Sequence, residues 1–236
     1  MRLSFPPLFS ETLKIVNKHL LNIVGIALSY IFFTFLIDTY LAYLAKVYAT
    51  APNPGLLFIA TTIASTLTGA LEIIANALMV ILVVQRETGV SASLPKIMQY
   101  IVSRFFPLLF TLGLVQLVTS IGFVFFIIPG IIFSLAYSQS SIFAIVEGDG
   151  ALTAMKKSWQ LTKRSLIQLF IVYVLYCLVI FIPIFVFILG FSMLKMPEVY
   201  LKYVITFVLI MFLNFSLIFG YVVWKTLKLK QTYAPV

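Results

Sequence analysis

Charge is scarce in this chain. Of its 236 residues only 10% are charged and 62% are hydrophobic, whereas an ordinary soluble domain carries about a quarter charged and half apolar residues. So few charges cannot cover a water-soluble surface of this size. Acidic residues are scarcer still, seven against sixteen Lys and Arg, and His19 and Cys177 are the only histidine and cysteine. A single cysteine excludes an intramolecular disulfide and leaves the redox compartment unread. Cys177 reads as a small lipid- or helix-facing residue. One His and one Cys cannot build a common zinc site, and one histidine cannot supply a two-histidine phosphodiester hydrolysis site. No Gly-rich phosphate loop and no nucleophile elbow appears. The expectation is no metal, no cofactor and no enzyme activity. Also missing is any polar stretch long enough to fold separately, so residues 1–236 read as one polytopic membrane domain.

What the chain has instead is long apolar runs. A hydrocarbon core of about 30 Å, at 1.5 Å per helical residue, needs roughly 20 residues, and lipid tolerates no unpaired backbone. Six segments qualify: 20–44, 56–84, 105–128, 131–146, 166–191 and 203–224, the fourth being short and Ser-rich. The sequence therefore predicts an all-α integral membrane protein with six transmembrane helices. Ala49-Thr50-Ala51 looks like a signal-peptidase site, but the run before it is about twice the usual 7–15 residue signal core. It is read as a retained first span.

Basic residues set the orientation, because loops rich in Lys and Arg stay in the cytoplasm. With six spans, Arg2, Lys14, Lys18, Arg86, Lys96, Arg104, Lys156, Lys157, Lys163, Arg164, Lys225, Lys228 and Lys230 share one side, against Lys46, Lys195 and Lys202 on the other. Both termini are thus expected to be cytoplasmic, with a tight hairpin at Pro129-Gly130. The net charge of +9 is placed for anionic lipid headgroups as partners rather than nucleic acid.

Three basic-side segments have the pattern of amphipathic interfacial helices. The first is capped by Ser10 with Leu13, Val16 and Leu20 on one face; the second presents Leu94, Met98, Ile101 and Phe105; the third presents Leu152, Met155, Trp159, Thr162 and Leu166. Lys156, Lys157, Lys163 and Arg164 on the third are the candidate headgroup contacts. A 60-residue shift pairs Lys96 with Lys156, Arg104 with Arg164, Phe110 with Phe170 and Gly130 with Gly190. Few identities support that repeat.

Glu72 lies near the middle of the second span, where an ionised carboxylate is costly. Thr61, Ser65, Thr68, Gly69 and Asn76 recur around it at spacings of three and four, forming one polar stripe. The stripe is either an intramembrane polar site, for a headgroup or a proton, or a seam of small residues packed against a neighbour with Glu72 protonated. Ser134, Tyr137, Ser138 and Ser141 form a second stripe, and Asp38 sits near the outer end of the first span. Serines at such spacings serve packing more often than ligand binding. His19 has no nearby carboxylate beyond Glu11, and the sequon Asn214-Phe215-Ser216 is inert inside a span.

Between residues 127 and 166 the chain reads Ile-Ile-Pro129-Gly130-Ile-Ile, then Glu147-Gly148-Asp149-Gly150, Lys157-Ser158-Trp159 and Leu161-Thr162-Lys163. This order resembles the YciC-like bacterial inner-membrane proteins and the related membrane domain fused to some glycerophosphoryl diester phosphodiesterases. The resemblance implies a multi-pass inner-membrane protein and brings no catalytic residues, since catalysis in the fused relatives belongs to a separate soluble domain. The expected function is a non-enzymatic part in envelope or lipid homeostasis. The alternatives are a small transporter or lipid translocator working through Glu72, and a membrane anchor that docks a soluble partner through the segment from Lys156 to Arg164.

Overall fold

A computed structural model describes residues 3–48, 54–89, 92–192 and 198–233. Among them 93% are helical and none forms a strand. Arg2, Lys195 and the Ala49-Thr50-Ala51 sequence lie outside the described residues. The helices are α1 (Phe5–Tyr48), α2 (Pro54–Thr88), α3 (Leu94–Phe125), α4 (Ile127–Tyr137), α5 (Ser140–Ile142), which runs into a π turn (Phe143–Glu147), α6 (Ala151–Thr162), α7 (Leu166–Ser192) and α8 (Glu198–Tyr233). Six helical stretches are long and apolar enough to cross a membrane. They match the six expected spans.

Pro54 opens α2 and Pro95 lies in the first turn of α3, positions whose N–H has no intrahelical acceptor, whereas Pro107 and Pro183 stand inside α3 and α7. Two expected interfacial helices are not separate. α1 and α3 run unbroken from the basic end into the span, so Ser10 lies inside α1 and caps nothing. Only the third, α6, stands apart, divided from α7 by Lys163–Ser165. The repeat pairing Arg104 with Arg164 therefore joins a continuous helix to a break.

The buried faces also differ in phase from those expected. On α1, Leu8, Thr12, Ile15, His19 and Ile23 are buried while Leu13 and Leu20 are exposed. On α3 the packed residues are Ile97, Ile101 and Leu108, with Leu94 exposed. On α6 they are Ala154, Met155, Ser158, Leu161 and Thr162, with Leu152 and Trp159 outside.

The chain reverses between α3 and α4 at Phe126, whose backbone is extended (φ −159°, ψ 150°). Pro129-Gly130 is not the hairpin but part of the first turn of α4. Gly130 instead serves the crossing of α3 over α4: a Cβ there would collide with the Phe123 ring, and one at Gly122 would lie 2.9 Å from the Gly130 Cα. Small residues let membrane helices approach this closely.

The six long apolar stretches alternate in direction, and cross-links gather their basic ends. Lys225 of α8 pairs with Glu11 of α1, Lys18 of α1 with Glu87 of α2, and Arg104 of α3 donates to the Gly148 carbonyl. Phe5 and Phe9 of α1 meet Phe219 and Phe215 of α8. The packed core lies toward this end, around Ile23, Met79, Val83, Ile101, Ile142, Val222 and Leu227. Elsewhere the bundle presents large apolar side chains outward, among them Phe32, Phe58, Phe106, Phe110, Phe181 and Phe185. Cys177 is exposed on α7 among them.

Candidate functional site

Glu72 lines a cavity of about 180 Å³ between α1, α2 and α8, with Ile26 and Tyr30 from α1, Ala75 and Asn76 from α2, and Thr206, Leu209, Ile210, Leu213 and Asn214 from α8. Two groups in this lining lack partners. No hydrogen bond or ion pair to the Glu72 carboxylate occurs among the described residues, and Asn214, only 2% exposed, has an Nδ2 with no acceptor. Among the described residues no basic side chain lines the cavity. Its chemistry is therefore one carboxylate, two amides and the polar side chains of Tyr30 and Thr206 on an otherwise apolar wall.

The expected stripe divides at this point. Glu72 and Asn76 face the cavity, whereas Thr61 and Ser65 are exposed. Ser65 donates to the Thr61 carbonyl at 2.9 Å, Thr61 to Phe58 at 2.9 Å, and Thr68 to Ala64 at 3.1 Å, which satisfies hydroxyls within their own helix. A Cβ on Gly69 would meet nothing within 4 Å, so no close helix contact depends on it. Asn214, set aside in the sequence as an inert sequon, completes the site from α8. The signal that could have found it is an amide deep in an apolar span.

The fourth span is a broken helix, with α4 ending at Tyr137 and a turn at Ser138-Gln139. A break frees backbone groups that lipid cannot satisfy, and α6 supplies the missing partners. Ser158 Oγ donates to the Ala136 carbonyl at 2.7 Å and accepts from the Gln139 N–H at 3.2 Å; Thr162 Oγ1 donates to the same Ala136 carbonyl at 3.0 Å. The Gln139 side chain is fully buried and donates to Tyr173 Oη at 3.0 Å. The second serine stripe is mostly structural: Ser134 and Ser138 donate to Ile131 and Leu135, and Tyr137 lies beside Trp159 with ring centroids 6.0 Å apart. Ser141 is half-buried.

The Glu147 to Gly150 turn is a junction. Gly148 takes a left-handed φ of 69°, which glycine adopts without penalty, and a Cβ there would come within 3.1 Å of the Arg104 guanidinium. Tyr100 donates to the Ile145 carbonyl at 3.0 Å. Lys157 bonds Asp149 and Glu147, each at 2.8 Å, while Lys228 closes on the other Glu147 oxygen. Hydrogen bonds to Asp149 first and Glu147 second hold the Lys157 ammonium above the usual lysine range. Lys157 thus fastens α6 to this turn within the protein. Lys156, Lys163 and Arg164 are exposed and unpaired among the described residues.

His19 is buried, and its Nε2 lies 3.7 Å from Glu87, with Arg86 3.4 Å from its Nδ1. Its carboxylate neighbour is therefore Glu87 of α2 rather than Glu11. Asp38 is half-buried on α1 and does not line the Glu72 cavity. Among the described residues no group of three or more His, Cys, Asp or Glu side chains is placed to hold a metal. Compared with models of known families, with curated proteins and with solved structures, the chain matches none of them.

Proposed function

We propose that this chain is a non-enzymatic multi-pass protein of the bacterial inner membrane that holds the polar group of an amphiphile in the Glu72 cavity, as part of envelope or lipid homeostasis. The observation that carries the reading is the pairing of an unpartnered carboxylate with an orphaned amide on one cavity wall at the depth of the spans. A buried donor without an acceptor costs about 1–3 kcal/mol, and a carboxyl group on a largely apolar wall gains from a hydrogen-bonding partner. An occupant with a cationic or hydrogen-bonding head and an apolar tail would satisfy both. Among the expected alternatives this favours lipid handling or translocation over a passive anchor, because Lys157, central to the proposed docking helix, is engaged internally.

The orientation is part of the proposal. Lys14, Lys96, Lys156, Lys163 and Arg164 make no ion pair among the described residues, which suits contact with anionic headgroups on the cytoplasmic side. The resemblance to YciC-like proteins supports the same membrane. The test is the lipid that copurifies with the protein. An amphiphile enriched over the bulk membrane in the wild type, and lost from Asn214→Leu, is expected. Identical bulk-like lipid in both would overturn the reading.

A further inference from the structure

The turn joining α3 to α4 differs from an ordinary loop in having nothing polar to offer water. Val124, Phe125, Phe126, Ile127 and Ile128 follow one another, and each is 70% exposed or more. An apolar patch of this kind facing water is a liability. The sequence around the other two connections is polar by contrast, with Lys46 and Asn53 near the first and Lys195 and Glu198 near the second.

The backbone of the turn is short and partly bonded. Phe126 is the only residue between the two helices. Its N–H donates to the Gly122 carbonyl at 3.0 Å and its own carbonyl accepts from Gly130 at 3.3 Å. Pro129 removes one more of the amide donors that the first turn of a helix leaves free. A one-residue reversal with both of its own backbone groups bonded leaves only the last carbonyls of α3 and the Ile127 and Ile128 N–H groups without a backbone partner, fewer than a longer loop would expose.

Length agrees. From Arg104, fixed at the basic end by Gly148, to Phe126 is 22 residues, about 33 Å of helix. From Lys18 to Lys46 on α1 is 28 residues, about 42 Å. The hydrocarbon core is about 30 Å thick, so the α1–α2 hairpin has about 12 Å to spare for the far headgroups, whereas the α3–α4 hairpin reaches the far edge of the core with only about 3 Å over. The exposed tip is continuous with the lipid-facing side of α3, where Phe106, Phe110, Leu117 and Ile121 are exposed.

We infer that the α3–α4 hairpin ends inside the bilayer, its tip at Val124–Ile128 covered by the acyl chains of the far leaflet rather than by water or by another protein. The chain then has four complete crossings and one hairpin that enters from the basic end and returns without emerging.

A nitroxide placed at position 126, and separately at 124, in a Cys177→Ser background reconstituted in lipid vesicles tests this by collisional relaxation. Oxygen, which concentrates in hydrocarbon, should relax both labels strongly and a water-soluble nickel complex weakly, while a label at Asn53 shows the reverse. Strong relaxation by nickel at 124 and 126 would place the tip in water, and protection from both agents would place it under protein; either result overturns the inference. Normal labelling behaviour at Asn53 in the same preparation shows that the variants have inserted.

Discussion

Ser158 of α6 and Ala136 of α4, 22 residues apart, meet in a 2.7 Å hydrogen bond at the point where the fourth span breaks. The hydroxyl at once accepts from the Gln139 N–H, so one small side chain satisfies both edges of the break. Ser158→Ala should therefore destabilise the protein by about 1–3 kcal/mol, the cost of stranding buried backbone groups. Thr162→Val should cost less, since Ser158 still serves Ala136, and the double variant should exceed the sum of the singles because the two share an acceptor. Thermal unfolding in detergent measures all three.

The α3–α4 crossing predicts a contrast among glycines. Gly122→Ala and Gly130→Ala push a methyl into backbone or ring atoms and should each cost about 1–3 kcal/mol. Gly69→Ala and Gly113→Ala meet open space and should be neutral or slightly stabilising, because alanine is the better helix former. A similar loss for all four would mean that the crossing is not where the chain is tight.

Lys157 ties α6 to the Glu147–Asp149 turn, and its raised pKa gives the contact a pH signature. A cation whose folded pKa lies above its unfolded value contributes stability that is fully present below the unfolded value, 10.5 for lysine, and is lost as pH rises through the folded one. Melting temperature should fall on alkalinisation above about pH 10, and the fall should be smaller in Lys157→Gln. Lys156→Gln, at an unpaired exposed position, should leave the profile unchanged.

Topology is tested by cysteine accessibility. Single cysteines at Asn53 and Met196, both outside the described residues, should react from outside intact cells with an impermeant maleimide, and one at Gln231 should not. Labelling at position 231 would contradict the cytoplasmic placement of the termini.

How far the sequence led depended on what lipid permits. Apolar runs located the spans, because a membrane helix must be apolar over some 20 residues whatever it packs against. The same uniformity hid which face was which. Leu13 and Leu20 are as apolar as Ile15 and Ile23, yet the first pair is exposed and the second buried, since in a bilayer the outer face needs no polar residues. Polar residues were legible as special but not as partners. Glu72 and Asn76 stood out on α2, while Asn214 became part of the same site only once α8 was seen against them. Lys157 and Lys156 looked equivalent until the Glu147–Asp149 turn was seen to take one and leave the other.

In the proposed function Glu72 looks into an occupied polar site. The most direct measurement is a cryo-electron microscopy map of the protein in native-lipid nanodiscs, at a resolution that shows lipid headgroups. The account predicts non-protein density in the cavity bounded by Tyr30, Glu72, Asn76 and Asn214, weakened in Glu72→Gln and Asn214→Leu. A closed α1–α2–α8 contact with no space there, or a Glu72 side chain turned outward among acyl chains, would contradict it.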